Sequence, residues 1–251
     1  MTNLADAHTR QPSLSGRRAI ITGGTTGIGR AIAVLLAGYG VKIFTCGRDP
    51  DHLRDALERI REVGEGDGMA CDLARPDDLS RFFVAADAYL GGPDIAIINA
   101  AIPADALAET SEETTRYQIA TDFTACLASA QAAAARMKAG SDIVLIGSMS
   151  AVSRKGGSSI YVAAKSGVQG FAASFRKELA EDDIKVGLIE PGLTGADFQY
   201  PQIGPEEQAR LIEEEAMLRA EDIAVAVHFM LTQPRRTAVS LMQVEPRRKR
   251  S

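Results

Sequence analysis

A chain of 251 residues that is 45% apolar and 24% charged can build a full core without disulfide or metal staples, and is too apolar and too weakly charged to stay disordered. Its 28 basic and 33 acidic residues leave a formal charge of −5, which argues against general nucleic-acid binding, and no Trp with only 5% aromatics argues against a stacking platform for single strands. Cys46, Cys71 and Cys126 form no C-x-x-C pair, and His8, His52 and His228 are dispersed, so neither a disulfide framework nor a metal site is expected. Residues 1–16 lack the apolar core of a signal peptide, and no window approaches ~18 apolar residues. A cytoplasmic protein without a membrane span is the expectation.

In chain order, Arg18–Thr22 reads as a buried strand and Ile28–Tyr39 as a helix closed by Gly38 and Gly40. Val41–Cys46 is a second strand, and Pro50–Val63 a second helix with Asp49 as its N-cap. A short strand, Gly68–Cys71, precedes a helix over Asp77–Tyr89 that Gly91-Gly92-Pro93 ends. Asp94–Ile98 is the fourth strand, and Ser111–Ala139 a long Ala-rich helical stretch with a possible interruption. Asp142–Ile146 is a strand, Ser158–Glu181 a long helix, and Ile184–Ile189 the sixth strand. Helices over Pro205–Leu218 and Ala220–Leu231 and a last strand, Ala238–Val244, complete the chain. Strands alternating with helices of ten or more residues imply βαβ crossovers. The fold class is α/β: one doubly wound, mostly parallel seven-stranded sheet with helices on both faces, Rossmann-like, as a single domain. Residues 1–15 are expected to be a flexible arm.

The first strand runs into Thr22-Gly23-Gly24-Thr25-Thr26-Gly27-Ile28-Gly29 and then a helix. Glycines let backbone amides approach a pyrophosphate, and the helix start offers unpaired N–H groups and a positive dipole end. The spacing, together with Asp72, Asn99-Ala100-Ala101 and Pro191-Gly192 after the third, fourth and sixth strands, resembles the short-chain dehydrogenase/reductase family. Ala101 departs from the family's usual Gly. The resemblance runs from about residue 16 to the last strand. It implies a cofactor-binding set of Thr22, Gly23, Thr25, Thr26, Gly27, Ile28, Gly29, Arg48, Asp72, Leu73, Asn99, Ala100, Tyr161, Lys165, Pro191, Gly192 and Thr194, with Asp72 near the adenine.

Gly47 stands where the family's NAD-type members carry Asp, and offers neither an acceptor nor a charge against a 2′-phosphate. Arg48 can reach such a phosphate with a planar cation. NADP(H) is therefore expected over NAD(H), although Thr26 is not the basic residue that many NADP-type members carry there. A solvated arginine paired with Asp49 or Asp51 is the bland alternative.

Tyr161 and Lys165 form Y-x-x-x-K near a helix start, and i, i+4 places both on one face. A nearby ammonium favours a phenolate. Ser148 precedes Tyr161 by thirteen positions, where the family holds its substrate-orienting Ser; Ser150 is two positions off. The resemblance implies hydride transfer between a nicotinamide and a carbonyl or secondary alcohol, with Tyr161 as general acid/base.

In the long helix the family's usual Asn is replaced by Asp122. This Asp could hold a relay water for Lys165 or trap it in an ion pair; we expect a relay residue and an altered pH profile. The family builds dimers or tetramers from its long helices, so a homo-oligomer is implied by resemblance. Residues 193–218 are expected to cover a small-molecule substrate, with Phe198, Tyr200, Ile203 and Met217 making a partly apolar pocket. The Arg247–Arg250 tail and the Glu213–Glu215 cluster read as solvated, a polyanion contact by the tail being the sharper alternative. Other readings are an NAD-dependent enzyme of the same fold and a cofactor-binding sensor with little turnover.

Overall fold

The computed structural model describes residues 11–103, 106–195 and 203–248. Seven parallel strands are ordered β3-β2-β1-β4-β5-β6-β7: β1 (Arg18–Thr22), β2 (Lys42–Gly47), β3 (Gly66–Ala70), β4 (Ile95–Ile98), β5 (Asp142–Ile146), β6 (Lys185–Pro191) and β7 (Leu241–Val244). The chain winds outward from β1 to β3, then returns to β1's other side at β4. That reversal opens a crevice outside the strands' carboxyl ends, where the site lies.

Both sheet faces are covered. Side chains alternate along each strand, so Ala19 and Ile21 point to one core and Ile20 to the other. The first core holds α1 (Gly27–Gly38), α2 (Pro50–Val63) and α9 (Ala220–Leu231), through Ile32, Leu36, Ile60 and Val227. The second holds α3 (Pro76–Leu90), α5 (Ala125–Ala134) and α7 (Ser159–Glu178), through Phe82, Phe83, Ala130 and Val168. Asp49 caps α2 as expected, its side chain accepting from Asp51 and His52 N–H, with Pro50 in the first turn. Gly91, at φ +71°, closes α3 in the left-handed conformation.

The long Ala-rich stretch is interrupted. α4 (Glu112–Ile119) passes through a π turn over Ala120–Thr124 before α5 begins. A four-residue helix, α6 (Ser150–Ser153), was not expected from the sequence. β3 begins at Gly66, two residues early, because Gly66–Ala70 pairs with Ile43–Gly47. Within the expected N-terminal arm, Leu14 is buried in the first core; residues 1–10 lie outside the described residues. No helix of the described residues is long and apolar enough to cross a membrane.

The segment between β6 and α9 is fastened at its base. Gly195 N–H donates to Leu218 O and Leu218 N–H to Leu193 O, both at 2.8 Å. Its helix α8 (Pro205–Glu213) is shorter than expected, and Leu211, Ala216 and Met217 make a small core against Leu193, Ile203 and Ile212. Met217 and Ile203 therefore serve this inner packing and do not line the cavity described below. Phe198 and Tyr200 lie outside the described residues. The basic tail is also engaged. Arg247 and Arg248 both pair with Glu215, and Arg248 N–H donates to Glu215 O at 3.0 Å, while Glu213–Glu215, Arg247 and Arg248 all stay exposed, as the solvated reading of both clusters expects.

Candidate active site

A cavity of about 480 Å³ lies along the carboxyl ends of β1 to β6, within the range of small-molecule sites. One wall is the turn from β1 to α1. Gly23 sits at φ +65°, and a Cβ there would come within 2.8 Å of Ala100 Cα. A Cβ on Gly29 would lie 2.1 Å from Gly23 O and 2.5 Å from Asn99 Nδ2. Thr26 makes no side-chain cap, so the first-turn amides of α1 stay available to an anion. Thr22 differs from expectation. It is fully buried and off the cavity wall; its hydroxyl accepts from Asn99 and Ala100 N–H at 2.9 and 3.2 Å. Asn99 Nδ2 in turn donates to Gly23 O at 2.9 Å, so Thr22 and Asn99 lock the β4 end against the glycine turn. Ala101 is exposed on the wall without positive φ, so its backbone does not demand the family's glycine.

At the end formed by β2 and β3, Gly47, Arg48, Asp72 and Leu73 line the cavity. Arg48 does not pair with Asp49 or Asp51. Its Nη1 donates to Tyr117 Oη at 2.9 Å, and that hydroxyl donates to Asp72 Oδ2 at 2.9 Å. Asp72 Oδ1 accepts from Ala74 N–H at 3.1 Å. Cys46 and Cys71 also reach the wall. Burial pushes the Cys46 thiol up, and its hydrogen bond draws the Cys71 thiol down. His52 and these cysteines, which line the cavity, and Tyr117, which bonds to two residues that line it, were not singled out for the site in the sequence, because only the fold brings them to it.

At the other end, Ser148, Tyr161 and Lys165 line the same cavity. Tyr161 lies in the first turn of α7, half-buried, and Lys165 Nζ is 5.5 Å from its ring centre. Lys165 is buried, and its Nζ donates to Ile146 O at 3.0 Å, tying α7 to the end of β5. Ser148 Oγ accepts from Ser150 N–H at 3.1 Å; Ser150 itself stands off the wall and opens α6. Pro191, Gly192 and Thr194, at the end of β6, complete this end.

Asp122 sits in the π turn, behind the wall that its neighbour Thr121 lines. Its Oδ1 accepts from Ile102 N–H at 2.7 Å, and its buried Oδ2 has no partner among the described residues. Burial pushes its carboxyl up to about 6, against the attraction of Lys165 and Arg48. No ion pair joins Asp122 to Lys165 among the described residues, so the trapped arrangement is not seen. No group of three or more metal-ligating side chains occurs among the described residues either.

The arrangement fits a dinucleotide: a glycine cradle at a helix start, a cationic end, and a phenol, ammonium and hydroxyl at the other end. A family model described as short chain dehydrogenase matches residues 17–204. A zebrafish (Danio rerio) protein named carbonyl reductase family member 4 is 29% identical, covering 87% of this chain and 92% of its own length. A human protein named 3-oxoacyl-[acyl-carrier-protein] reductase is 30% identical over 85% of this chain and 90% of itself. Among solved structures, a short chain dehydrogenase from Burkholderia cenocepacia in complex with NADP superposes with a TM-score of 0.83 at 26% identity, covering 94% of this chain and 98% of that one. A blue fluorescent protein from a metagenomic library, in complex with NADPH, gives 0.83 at 25% identity over the same shares. The chain belongs to the short-chain dehydrogenase/reductase family of oxidoreductases.

Proposed function

We propose that the protein interconverts a carbonyl compound and a secondary alcohol using NADP(H), with Tyr161 as general acid/base. The observation that carries this reading is one cavity holding Arg48 and Asp72 at one end and Ser148, Tyr161 and Lys165 at the other. The NADP- and NADPH-bound structural neighbours agree with it.

The turn from Gly23 to Gly29 would hold the pyrophosphate, Asp72 and Leu73 the adenine, Arg48 the 2′-phosphate and Lys165 the nicotinamide ribose. Bound there, the nicotinamide supplies or accepts the hydride. Ser148 Oγ donates to the substrate oxygen and fixes its direction. Tyr161 Oη gives its proton to that oxygen in reduction and takes it back in oxidation. Lys165 holds positive charge beside the Tyr161 ring, which stabilises negative charge developing on the phenol oxygen. Asp122, behind Thr121, serves as the relay residue on the Lys165 side.

The test compares the native protein with Tyr161→Phe across a panel of ketones, aldehydes and secondary alcohols, with NADPH binding followed by fluorescence. The expected result is a loss of about 10²–10⁴-fold in kcat/KM while NADPH still binds. A Tyr161→Phe variant that keeps the native rate overturns the reading, and so does a native protein that binds NADPH but turns over nothing in the panel.

A further inference from the structure

We propose that Tyr117 is a positioning residue for the cofactor's 2′-phosphate, holding Arg48 in place across the adenosine end of the cavity. The inference rests on the NADP(H) reading above and adds a residue to it that no sequence motif marks.

The geometry is a polar bridge over three elements. Asp72, after β3, accepts the Tyr117 hydroxyl; Tyr117, on α4, accepts from Arg48, after β2. Chemistry fixes the direction of both bonds. A phenol has one hydrogen, an ionised carboxylate only accepts, and a guanidinium only donates. Tyr117 Oη therefore spends its hydrogen on Asp72 and its lone pair on Arg48. The two ends are not held alike. Asp72 is fixed independently, since Ala74 N–H donates to its Oδ1 and its own N–H donates to Asp78 Oδ2 at 3.0 Å. Arg48 is exposed, and among the described residues its hydrogen bond is to Tyr117. That bond engages Nη1 alone, so the edge formed by Nε and Nη2 stays open for the paired contact a phosphate accepts. A free arginine gives up much rotamer freedom on gripping a phosphate. Tethering it to α4 reduces that loss before the cofactor arrives. Loss of the hydroxyl then falls on Arg48, and so on the 2′-phosphate, while Asp72 keeps its backbone anchors.

The experiment measures KM and kcat with NADPH and with NADH for the native protein, Tyr117→Phe, Arg48→Ala and the double variant. Tyr117→Phe is expected to raise the NADPH KM about 3- to 10-fold, as the loss of one ordinary, solvent-exposed hydrogen bond predicts. The NADH KM should move by less than about 2-fold, and the double variant should be no worse than Arg48→Ala. A second readout is the side-chain nitrogen resonance of Arg48 Nε, which should be restricted in the native protein and averaged in Tyr117→Phe. Equal KM rises for both cofactors mean a merely structural tyrosine and overturn the inference. Losses that add to those of Arg48→Ala, or an Arg48 signal as mobile with the hydroxyl as without it, overturn it too. If Arg48→Ala itself leaves the NADPH KM unchanged, the NADP(H) reading fails and takes this inference with it, which separates the two failures.

Discussion

Asp122 shows what one atom's exchange does in a buried place. An asparagine there would offer an oxygen to Ile102 N–H and an amide to the space where Oδ2 now stands unpartnered. The carboxylate instead carries charge out of water, and desolvation outweighs Lys165, Ile102 N–H and Arg48, lifting its pKa to about 6. The sign follows. Between the ordinary carboxylate range and about pH 6, the folded chain keeps a proton that the unfolded chain has released. Ionised Asp122 thus costs stability above pH 6, and the cost fades as pH falls through that value. The magnitude is on the order of 3 kcal/mol. Asp122→Asn removes the charge and keeps the acceptor for Ile102. It is expected to raise Tm by roughly 5 °C at pH 8, with the gain gone by pH 4. Thermal denaturation from pH 4 to 8 checks this; a gain that does not depend on pH would mean that charge burial is not its source. The sequence revealed the substitution through its place in a motif. It did not reveal the orphaned oxygen, which depends on how the π turn packs.

At the scale of elements, the cofactor end depends on how closely β2 approaches the β1–α1 turn. A Cβ on Gly47 would lie 2.2 Å from Thr25 Oγ1 and 2.9 Å from Thr25 Cβ. Thr25 is buried and β-branched, so it has few rotamers to yield with. An acid at 47, the residue an NAD-type ribose contact needs, therefore has no room here. Gly47→Asp is expected to lower Tm and weaken NADPH without improving NADH; adding Thr25→Gly should recover Tm and let NADH improve. An NADH gain from Gly47→Asp alone, seen in cofactor KM values, would show that the two elements part more easily than this contact implies. The elements themselves were largely legible. The bounds read for β1, α2, β5 and α9 stand as observed, because continuous apolar strands, an Asp-Pro helix start and flanking glycines act locally. β3 was read as starting two residues late and ending one late, since Gly66-Asp67-Gly68 has no apolar signal and becomes strand only beside Ile43–Gly47. The π turn was foreseen only as a possible break. Gln118, Thr121 and Asp122 share one buried side at the ordinary i, i+3, i+4 helical spacing, so that side was within reach of the sequence while the π turn itself was not. Tyr117 was illegible because its partners lie 45 and 69 residues away, and no spacing rule reaches them.

At the scale of the whole chain, the segment expected to cover the substrate is held from the far terminus. Arg247 and Arg248 converge on Glu215, a residue at φ +60° just after α8, and Pro246 packs beside Gly192 at the exit of β6. The pairs are solvent-exposed, so each contributes about 0–1 kcal/mol, too little to matter for the fold as a whole. They matter locally, because residues 203–218 rest on a core of a few apolar side chains, and local opening draws on local contacts. Arg247→Gln with Arg248→Gln is therefore expected to leave Tm within about 2 °C while amide exchange and proteolytic cleavage across 203–218 quicken several-fold. Raising salt should reproduce part of the effect in the native protein, since screening weakens exposed pairs. Hydrogen exchange resolved by segment decides the matter: faster exchange confined to 203–218 supports a tail that steadies the segment. Unchanged exchange there would mean that the inner core of Leu211, Ala216 and Met217 holds the segment unaided, and that the tail contacts contribute nothing to it.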